Sequence, residues 1–149
     1  MRKFLAFILV MLFASSAFAD DETDFSQQKN LGRDRAGLQW YVLSYGSHGS
    51  GWYAIAREYY TNNDAKAETV GKLSGRYGVQ SDRAQELYFT EYRFEYTSDG
   101  SQYAEISRKY YDKLGEEICG YEPGYSTYYP VTLNTVHSKG VAYAMGKIK

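Results

Sequence analysis

Residues 41–60 read YVLSYGSHGSGWYAIAREYY, and residues 92–111 read YRFEYTSDGSQYAEISRKYY. The two stretches align without a gap at an offset of 51, and nine of their twenty positions are identical. The identical pairs are Tyr41/Tyr92, Tyr45/Tyr96, Ser47/Ser98, Gly49/Gly100, Ser50/Ser101, Ile55/Ile106, Arg57/Arg108, Tyr59/Tyr110 and Tyr60/Tyr111. Average amino-acid usage gives roughly one or two such matches by chance. The chain therefore contains an internal duplication, which bears on every later assignment.

Each copy carries a turn signal at its centre, Ser-His-Gly at 47–49 and Ser-Asp-Gly at 98–100. A three-residue hairpin loop needs a residue at positive φ, a conformation that glycine adopts without a steric penalty. With the glycines in that position, the predicted register pairs Tyr41 with Ile55. It also collects the repeated aromatic residues on one sheet face and buries Ile55 and Ile106 at equivalent positions.

The second half of each copy, 52–60 and 103–114, fits two kinds of secondary structure. Its apolar residues recur at spacings of three and four, as they do in an amphipathic helix. Strands are favoured because β-branched and aromatic residues dominate and because the preceding turn suits a hairpin.

The rest of the chain predicts short helices and one more hairpin. Residues 62–64 (Asn-Asn-Asp) offer a helix cap before an apolar stripe within 65–73, and Gly71 limits that helix to two or three turns. A third, C-terminal hairpin is predicted around Ser138-Lys139-Gly140. The expected fold class is mainly β, or α+β, with duplicated antiparallel hairpins and one or two short helices.

The N-terminus has the pattern of a secretory signal peptide over residues 1–19. Arg2 and Lys3 precede an apolar run of ten residues, and Ala17-Phe18-Ala19 offers a small-x-small cleavage site. Ten apolar residues are too few for a permanent membrane span. The sequence predicts cleavage after Ala19 and a periplasmic or secreted product with no transmembrane segment. A flexible leader over 20–35 and a single domain over 36–149 are expected to follow.

Charge argues against two classes of partner. Without Arg2 and Lys3 the chain keeps 15 basic residues against 18 acidic ones, with no basic patch. Nucleic acid is therefore not an expected partner, and neither is an anionic membrane surface.

Tyrosine is the compositional anomaly, with 17 residues, all of them beyond the predicted signal peptide. The segment CGYEPGYSTYYP, residues 119–130, has the Tyr, Gly and Ser content of loops that bind through rigid aromatic anchors. Tyr121, Tyr125, Tyr128 and Tyr129 are therefore predicted to bind a protein or a cell-envelope polysaccharide. The alternative is a loop that only packs over an end of the sheet.

Arg57 and Arg108 occupy equivalent positions on the predicted aromatic face. A guanidinium group stacks on aromatic rings, and it also binds anionic ligands through paired hydrogen bonds. The two arginines therefore either pack structurally or form a pseudo-symmetric ligand site. On the other face, the register pairs Arg93 with Glu105 in solvent.

The sequence contains no recognisable catalytic, metal or cofactor motif. His48 lies in a turn where the second copy has aspartate, so the position requires only a polar residue, and His137, which flanks the third predicted turn, is interpreted in the same way. Cys119 is the single cysteine, and it is predicted to be a small buried residue, or else to join two chains through an intermolecular disulfide. A non-catalytic binding protein without cofactor is favoured, and a small cell-envelope hydrolase is an alternative.

Ser74-Gly75-Arg76-Tyr77 resembles the Ser-Gly-x-Tyr loop of periplasmic lysozyme inhibitors, which are small exported β-proteins. In that family the Ser and Tyr lie on a loop that enters the lysozyme cleft. The resemblance covers four residues, and the cysteines of one inhibitor subfamily are absent here. It implies a lysozyme-inhibitor-like alternative in which Ser74 and Tyr77 lie on an exposed loop and contact the enzyme.

Overall fold

The computed structural model describes residues 28–149, in which the two repeats form neighbouring hairpins of one antiparallel sheet. The strands are β1 (Lys29–Arg33), β2 (Gln39–His48), β3 (Gly51–Tyr59), β4 (Leu87–Tyr96), β5 (Gln102–Asp112), β6 (Glu117–Tyr121) and β7 (Tyr128–Pro130). The helices in these residues are α1 (Asn63–Arg76), α2 (Ser81–Gln85) and α3 (Val136–Ala144). The prediction of a mainly β fold with a few short helices is confirmed.

The strand order follows the chain, β1-β2-β3-β4-β5-β6, and β7 pairs with β5 on the same edge as β6. Tight turns join β2 to β3 and β4 to β5, whereas α1 and α2 lie between β3 and β4. Residues 51–59 and 102–112 are strands. The second half of each repeat is therefore extended, and the helical alternative is wrong.

The turns of both hairpins contain glycine at positive φ, as the sequence predicts. Gly49 has a φ of +55° and Gly100 has a φ of +73°. The predicted three-residue loops are wrong, however. The first hairpin closes on a two-residue loop between His48 and Gly51. The second closes on a four-residue loop, residues 98–101.

The side chain of Asp99 stabilises the wider second loop. Its Oδ1 accepts hydrogen bonds from the Ser101 amide at 3.0 Å, the Ser101 hydroxyl at 2.8 Å and the Thr97 hydroxyl at 2.7 Å. Such an Asx-type arrangement replaces backbone hydrogen bonds within a turn. The first copy has His48 at the equivalent position, and its Nε2 lies 3.2 Å from Glu95 Oε1.

A β-bulge in each hairpin then changes the faces that the side chains occupy. The bulge of the first hairpin falls in β2 at Leu43, and that of the second falls in β5 at Ile106. A bulge inserts one extra residue, so the side chains beyond it move to the other face of the sheet. The predicted pairing of Tyr41 with Ile55 is wrong, because the two-residue loop and the bulge together place Tyr41 opposite Arg57.

The pairs Tyr41–Arg57 and Tyr92–Arg108 are equivalent in register but lie on opposite faces. Ala56 of β3 lies opposite Tyr92 of β4, so these two side chains share a face. Arg57 follows Ala56 in the strand and therefore points to the other face. The prediction of one aromatic face that holds both arginines is wrong.

The helices pack on one side of the sheet, which is called the helical face here. It carries Trp40, Val42, Ala54, Ala56, Phe94 and Tyr96, and these residues surround Val141 of α3. A second cluster joins Val70 and Leu73 of α1 to Leu87 and Tyr110. Ile55 and Ile106 are half-buried, contrary to prediction. Ile55 is on the opposite face, and Ile106 is the bulge residue.

Helix α1 begins where the sequence predicts and extends further. The Asn62 side chain caps it by accepting hydrogen bonds from the amides of Asp64, at 2.9 Å, and Ala65, at 3.3 Å. The helix has 14 residues, or roughly four turns. Gly71 does not end it, because burial of Val70 and Leu73 on either side holds the helix against the sheet.

The predicted third hairpin is wrong, because its residues form α3. Thr135 and Ser138 make a capping box in which each side chain accepts a hydrogen bond from the other residue's amide, at 3.2 and 3.0 Å. Gly140 lies inside the helix rather than in a turn. A Cβ atom there would be 2.8 Å from the Tyr96 hydroxyl, so glycine allows α3 to approach the sheet closely.

The predicted signal peptide, 1–19, lies outside the described residues, as do residues 20–27 of the predicted leader. The leader prediction is wrong for Lys29–Arg33, which form the edge strand β1 paired with β2. Leu31 is its one buried residue, at 4% exposure, and it packs in the cluster around α3. Within residues 28–149, no helix is long and apolar enough to cross a membrane.

Candidate functional site

The outer edge of β5 is shared by two short strands. Strand β6 pairs with residues 108–111, and β7 pairs with residues 102–104. Among the described residues, 105–107 have no strand partner on this edge. Residues 122–127, which connect β6 to β7, lie opposite this gap. A groove forms between the gap and the connection.

This groove, called the β5-edge groove, has a volume of about 230 Å³. Aromatic, polar and small residues line it: Glu105, Arg108, Tyr121, Pro123, Gly124, Tyr125, Thr127 and Tyr129. Tyr125 is 81% exposed and Tyr129 is 52% exposed. The groove is therefore open to solvent and lined with tyrosine.

An ion pair forms the floor of the β5-edge groove. Arg108 Nε lies 2.5 Å from Glu105 Oε1, and Nη2 lies 3.0 Å from Oε2, which is a two-point pairing. Residues three apart on a regular strand face opposite sides, but the bulge at Ile106 brings this pair to the helical face. The predicted Arg93–Glu105 pair is wrong, because Arg93 Nη2 lies 3.5 Å from Glu95.

Aromatic rings fix the position of the Arg108 guanidinium. Its Cζ lies 5.5 Å from the ring centroid of Tyr121 and 5.8 Å from that of Tyr92. Tyr121 in turn packs on Tyr77, with 6.0 Å between ring centroids. The side of the groove nearest α1 is thus held by the packing of Tyr121 against Arg108 and Tyr77.

The opposite side of the groove is supported by α3. Tyr129 packs on Tyr103 at 5.9 Å, and Tyr103 stacks on His137 with ring centroids 3.7 Å apart. Burial lowers the pKa of His137 to about 4. The imidazole is therefore neutral at pH 7 and acts as an aromatic packing element.

A buried polar cluster lies behind Arg108. The Tyr92 hydroxyl donates to Glu58 Oε2 at 2.9 Å, and the Tyr60 hydroxyl donates to the same oxygen at 3.3 Å. Tyr60 also contacts the hydroxyl of Thr90, which is fully buried, at 2.8 Å. Burial raises the pKa of Glu58 to about 7. This carboxyl does not line the groove, and the hydrolase alternative stays a prediction.

Four of the residues predicted as ligand contacts come together in the groove, namely Arg108, Tyr121, Tyr125 and Tyr129. Tyr128 does not join them. It is 45% exposed and lines a separate cleft beside Trp52 and the tips of both hairpins.

Arg57 is placed away from the groove, on the opposite face of the sheet. Its Nε lies 2.9 Å from Glu91 Oε2, and its Cζ lies 4.3 Å from the ring centroid of Phe89. The structure therefore does not bring Arg57 and Arg108 into one site.

The tetrapeptide that resembles the lysozyme-inhibitor loop is not a loop here. Ser74, Gly75 and Arg76 form the last turn of α1, and Tyr77 is the residue that follows it. Tyr77 packs on Tyr110 and Tyr121 at centroid distances of 6.1 and 6.0 Å. The expectation that Ser74 and Tyr77 lie on an exposed loop is wrong, because α1 continues through Gly71 and Gly75.

Glu105 is the main groove residue that sequence reasoning missed. The signal is its spacing of three from Arg108, which places two side chains together on a helix or across a bulge but not on a regular strand. Pro123, Gly124 and Thr127 were within the Tyr-rich segment but carried no individual signal.

Cys119 lies half-buried in β6, opposite Tyr110. Burial raises the pKa of its thiol. The intermolecular disulfide stays a prediction. Among residues 28–149, no group of three His, Cys, Asp or Glu side chains is arranged to hold a metal ion.

The comparisons with known proteins return no match. No family model, no curated protein and no solved structure matches this chain.

Proposed function

We propose that this protein is a small exported binding protein, without catalytic activity, that holds its ligand in the β5-edge groove. The observation that carries the proposal is the convergence of β5, β6, β7 and the 122–127 connection on one concave surface. Each contributes a tyrosine or a member of the Glu105–Arg108 pair. Rigid aromatic anchors beside adaptable polar groups are typical of binding surfaces.

The exposure of the tyrosines supports the same proposal. Tyr125 and Tyr129 keep 81% and 52% of their surface in solvent. Full burial of an aromatic side chain stabilises a fold by roughly 1.5–3 kcal/mol. Two rings of the same groove that leave half or more of their surface unburied are suited to bury it against a ligand instead. The predicted signal peptide supports an exported protein whose partner is a protein or a cell-envelope polysaccharide.

The test is a capture assay with purified chain that starts at Asp20. Tagged protein is mixed separately with insoluble cell-envelope polysaccharide and with periplasmic protein extract, and the captured material is quantified. Tyr125→Ala/Tyr129→Ala is expected to reduce capture about tenfold or more. Tyr88→Ala is the matched control, because Tyr88 is 43% exposed and lies outside the groove. Equal capture by both variants would remove the proposed site.

The repeat supplies a second matched pair. Arg108→Gln removes the groove cation, whereas Arg57→Gln removes its equivalent on the other face. Only Arg108→Gln is expected to weaken capture, with both thermal midpoints recorded so that unfolding is distinguished from loss of contact. Loss of capture in Arg57→Gln alone would place the site on the opposite face.

A further inference from the structure

We infer that the ligand of the β5-edge groove is a neutral saccharide chain, an inference that rests on the proposed function of the groove. Its basis is the compensated charge of the groove floor. Arg108 donates two hydrogen bonds to Glu105, at 2.5 and 3.0 Å, and the carboxylate charge compensates that of the guanidinium. An anionic ligand that approached Arg108 would be repelled by the neighbouring Glu105 carboxylate unless it displaced that carboxylate. A neutral ligand leaves the pair intact.

The intact pair still offers hydrogen bonds of both kinds. Arg108 has five N–H donors, of which two bind Glu105 and one binds the Tyr110 hydroxyl at 3.4 Å, and each carboxylate oxygen of Glu105 has the capacity to accept further bonds. Donors and acceptors therefore lie side by side, and Thr127 also lines the groove. Each hydroxyl of a sugar donates one bond and accepts others, so neighbouring hydroxyls match this arrangement.

The rings of the groove suit the other half of a sugar's chemistry. Tyr121, Tyr125 and Tyr129 line it, and Pro123 is its one aliphatic side chain. The negative face of an aromatic ring attracts the weakly positive C–H groups that cover one side of a pyranose. The volume of about 230 Å³ and the exposed rings leave room for a short stretch of a longer chain.

A peptide added as an extra strand is the main rival, and the edge geometry opposes it. Only residues 105–107 lack a partner on this edge among the described residues, and β6 and β7 close both ends of the gap. Strand addition draws its affinity from a run of main-chain hydrogen bonds. Three residues offer too short a run, and among the described lining residues Pro123 alone is aliphatic, which does not provide separate subsites for alternate side chains.

The experiment measures binding by amide and Arg Nε chemical-shift changes in the chain that starts at Asp20. The probes are neutral tetrasaccharides of glucose, galactose, mannose and N-acetylglucosamine, an acidic tetramer of galacturonic acid, and an extended tetrapeptide. At least one neutral tetrasaccharide is expected to bind with a Kd of about 1 mM or tighter and to shift the Arg108 Nε signal. Its affinity is expected to change little with salt, since no net charge is exchanged.

Glu105→Gln is the decisive variant, because it leaves the shape of the floor and removes its negative charge. It is expected to raise affinity for the acidic tetramer about tenfold while the neutral affinity falls. Stronger binding of the acidic tetramer or the peptide by the unsubstituted protein would overturn the inference. So would the absence of groove shifts with every neutral probe at about 10 mM. If capture of envelope material still depends on Tyr125 and Tyr129 in that case, the proposed function stands and only the saccharide assignment fails.

Discussion

Arg57 and Arg108 occupy equivalent positions in two hairpins that share nine of twenty residues, yet they face opposite sides of the sheet. Arg57 is part of a packed surface, with its side chain 14% exposed between Phe89 and Glu91. Arg108 is 30% exposed on the floor of a groove. The same residue type in the same repeat position therefore has a structural role in one copy and a proposed binding role in the other.

The cause of the difference is the strand that carries the bulge between the turn and the arginine in each hairpin. In the first copy the bulge lies in β2, so β3 alternates regularly and Ala54 and Arg57 point to opposite faces. In the second copy the bulge lies in β5, so Glu105 and Arg108 point to the same face. A duplicated hairpin can thus acquire a charged pair without a new arginine, through a shifted bulge and one acidic substitution.

The largest expected effect on stability comes from the equivalent tyrosines Tyr59 and Tyr110, which differ in burial as the two arginines do. Tyr110 is 3% exposed in the cluster formed with Leu73, so Tyr110→Ala should lower the free energy of unfolding by roughly 3–5 kcal/mol. Tyr59 is half-buried on the opposite face against Phe89, and Tyr59→Ala should cost roughly 1–2 kcal/mol. Urea denaturation measures both values. Equal costs would mean that the two faces are equally packed.

The second prediction concerns the pH dependence of stability, to which one buried titratable group contributes at each hairpin: Glu58 at the first and His137 at the second. Glu58 of the first copy has a pKa raised by burial from 4.5 to about 7, so its stabilising effect is complete below pH 4.5 and is lost as pH rises through 7. His137, packed on Phe94 of the second copy, has a pKa lowered by burial from 6.5 to about 4. Its effect is complete above pH 6.5 and is lost as pH falls through 4.

The two effects oppose each other between pH 4.5 and 6.5, so separate variants should expose them. Glu58→Gln should lose stability as pH falls through this range, and His137→Phe should lose it as pH rises. Each slope should approach about 1.4 kcal/mol per pH unit, and the full Glu58 effect should be roughly 3 kcal/mol. Unfolding free energies from urea melts at several pH values provide the measurement. Parallel pH profiles for both variants would contradict the assigned environments.

The sequence predicts the features that local chemistry determines. The repeat, the strands on both sides of each turn, the positive φ of Gly49 and Gly100 and the Asn62 cap all follow from short stretches of residues. The sequence also contains a signal for the C-terminal helix, because Thr135 and Ser138 have the spacing of the capping box that they form. The hairpin was predicted instead because Ser138-Lys139-Gly140 resembles the turn tripeptides of the two repeats.

Bulge positions depend on packing across several strands, and local patterns do not determine them. Ile55 and Ile106 are identical in the repeat, but only Ile106 is a bulge residue. The predicted register therefore failed on both copies, and with it the pairing of Glu105. The Tyr-rich segment predicted the aromatic lining of the groove. The pairing of Glu105 with Arg108 on its floor depends on the bulge, which the sequence did not predict.

The smallest expected effect compares the two turn glycines, which share a positive φ but differ in surroundings. Gly49 has nothing within 4 Å of a built Cβ atom, so Gly49→Ala should cost about 1 kcal/mol from backbone strain alone. At Gly100 the same atom would lie 2.7 Å from Met145 Sδ and 3.1 Å from Val141 Cγ2. Gly100→Ala should therefore cost about 2 kcal/mol, since crowding adds to the strain.

Met145→Ala provides the background that separates these two contributions. Removing the sulfur leaves the strained φ of Gly100 unchanged but relieves the closest contact that the new methyl group would make. In a double-mutant cycle, the cost of Gly100→Ala in the Met145→Ala background should fall to nearly that of Gly49→Ala. Urea denaturation of the four Gly100/Met145 proteins and of Gly49→Ala gives each value. A cost of Gly100→Ala that is the same in both backgrounds would show that the Met145 side chain does not crowd the second turn.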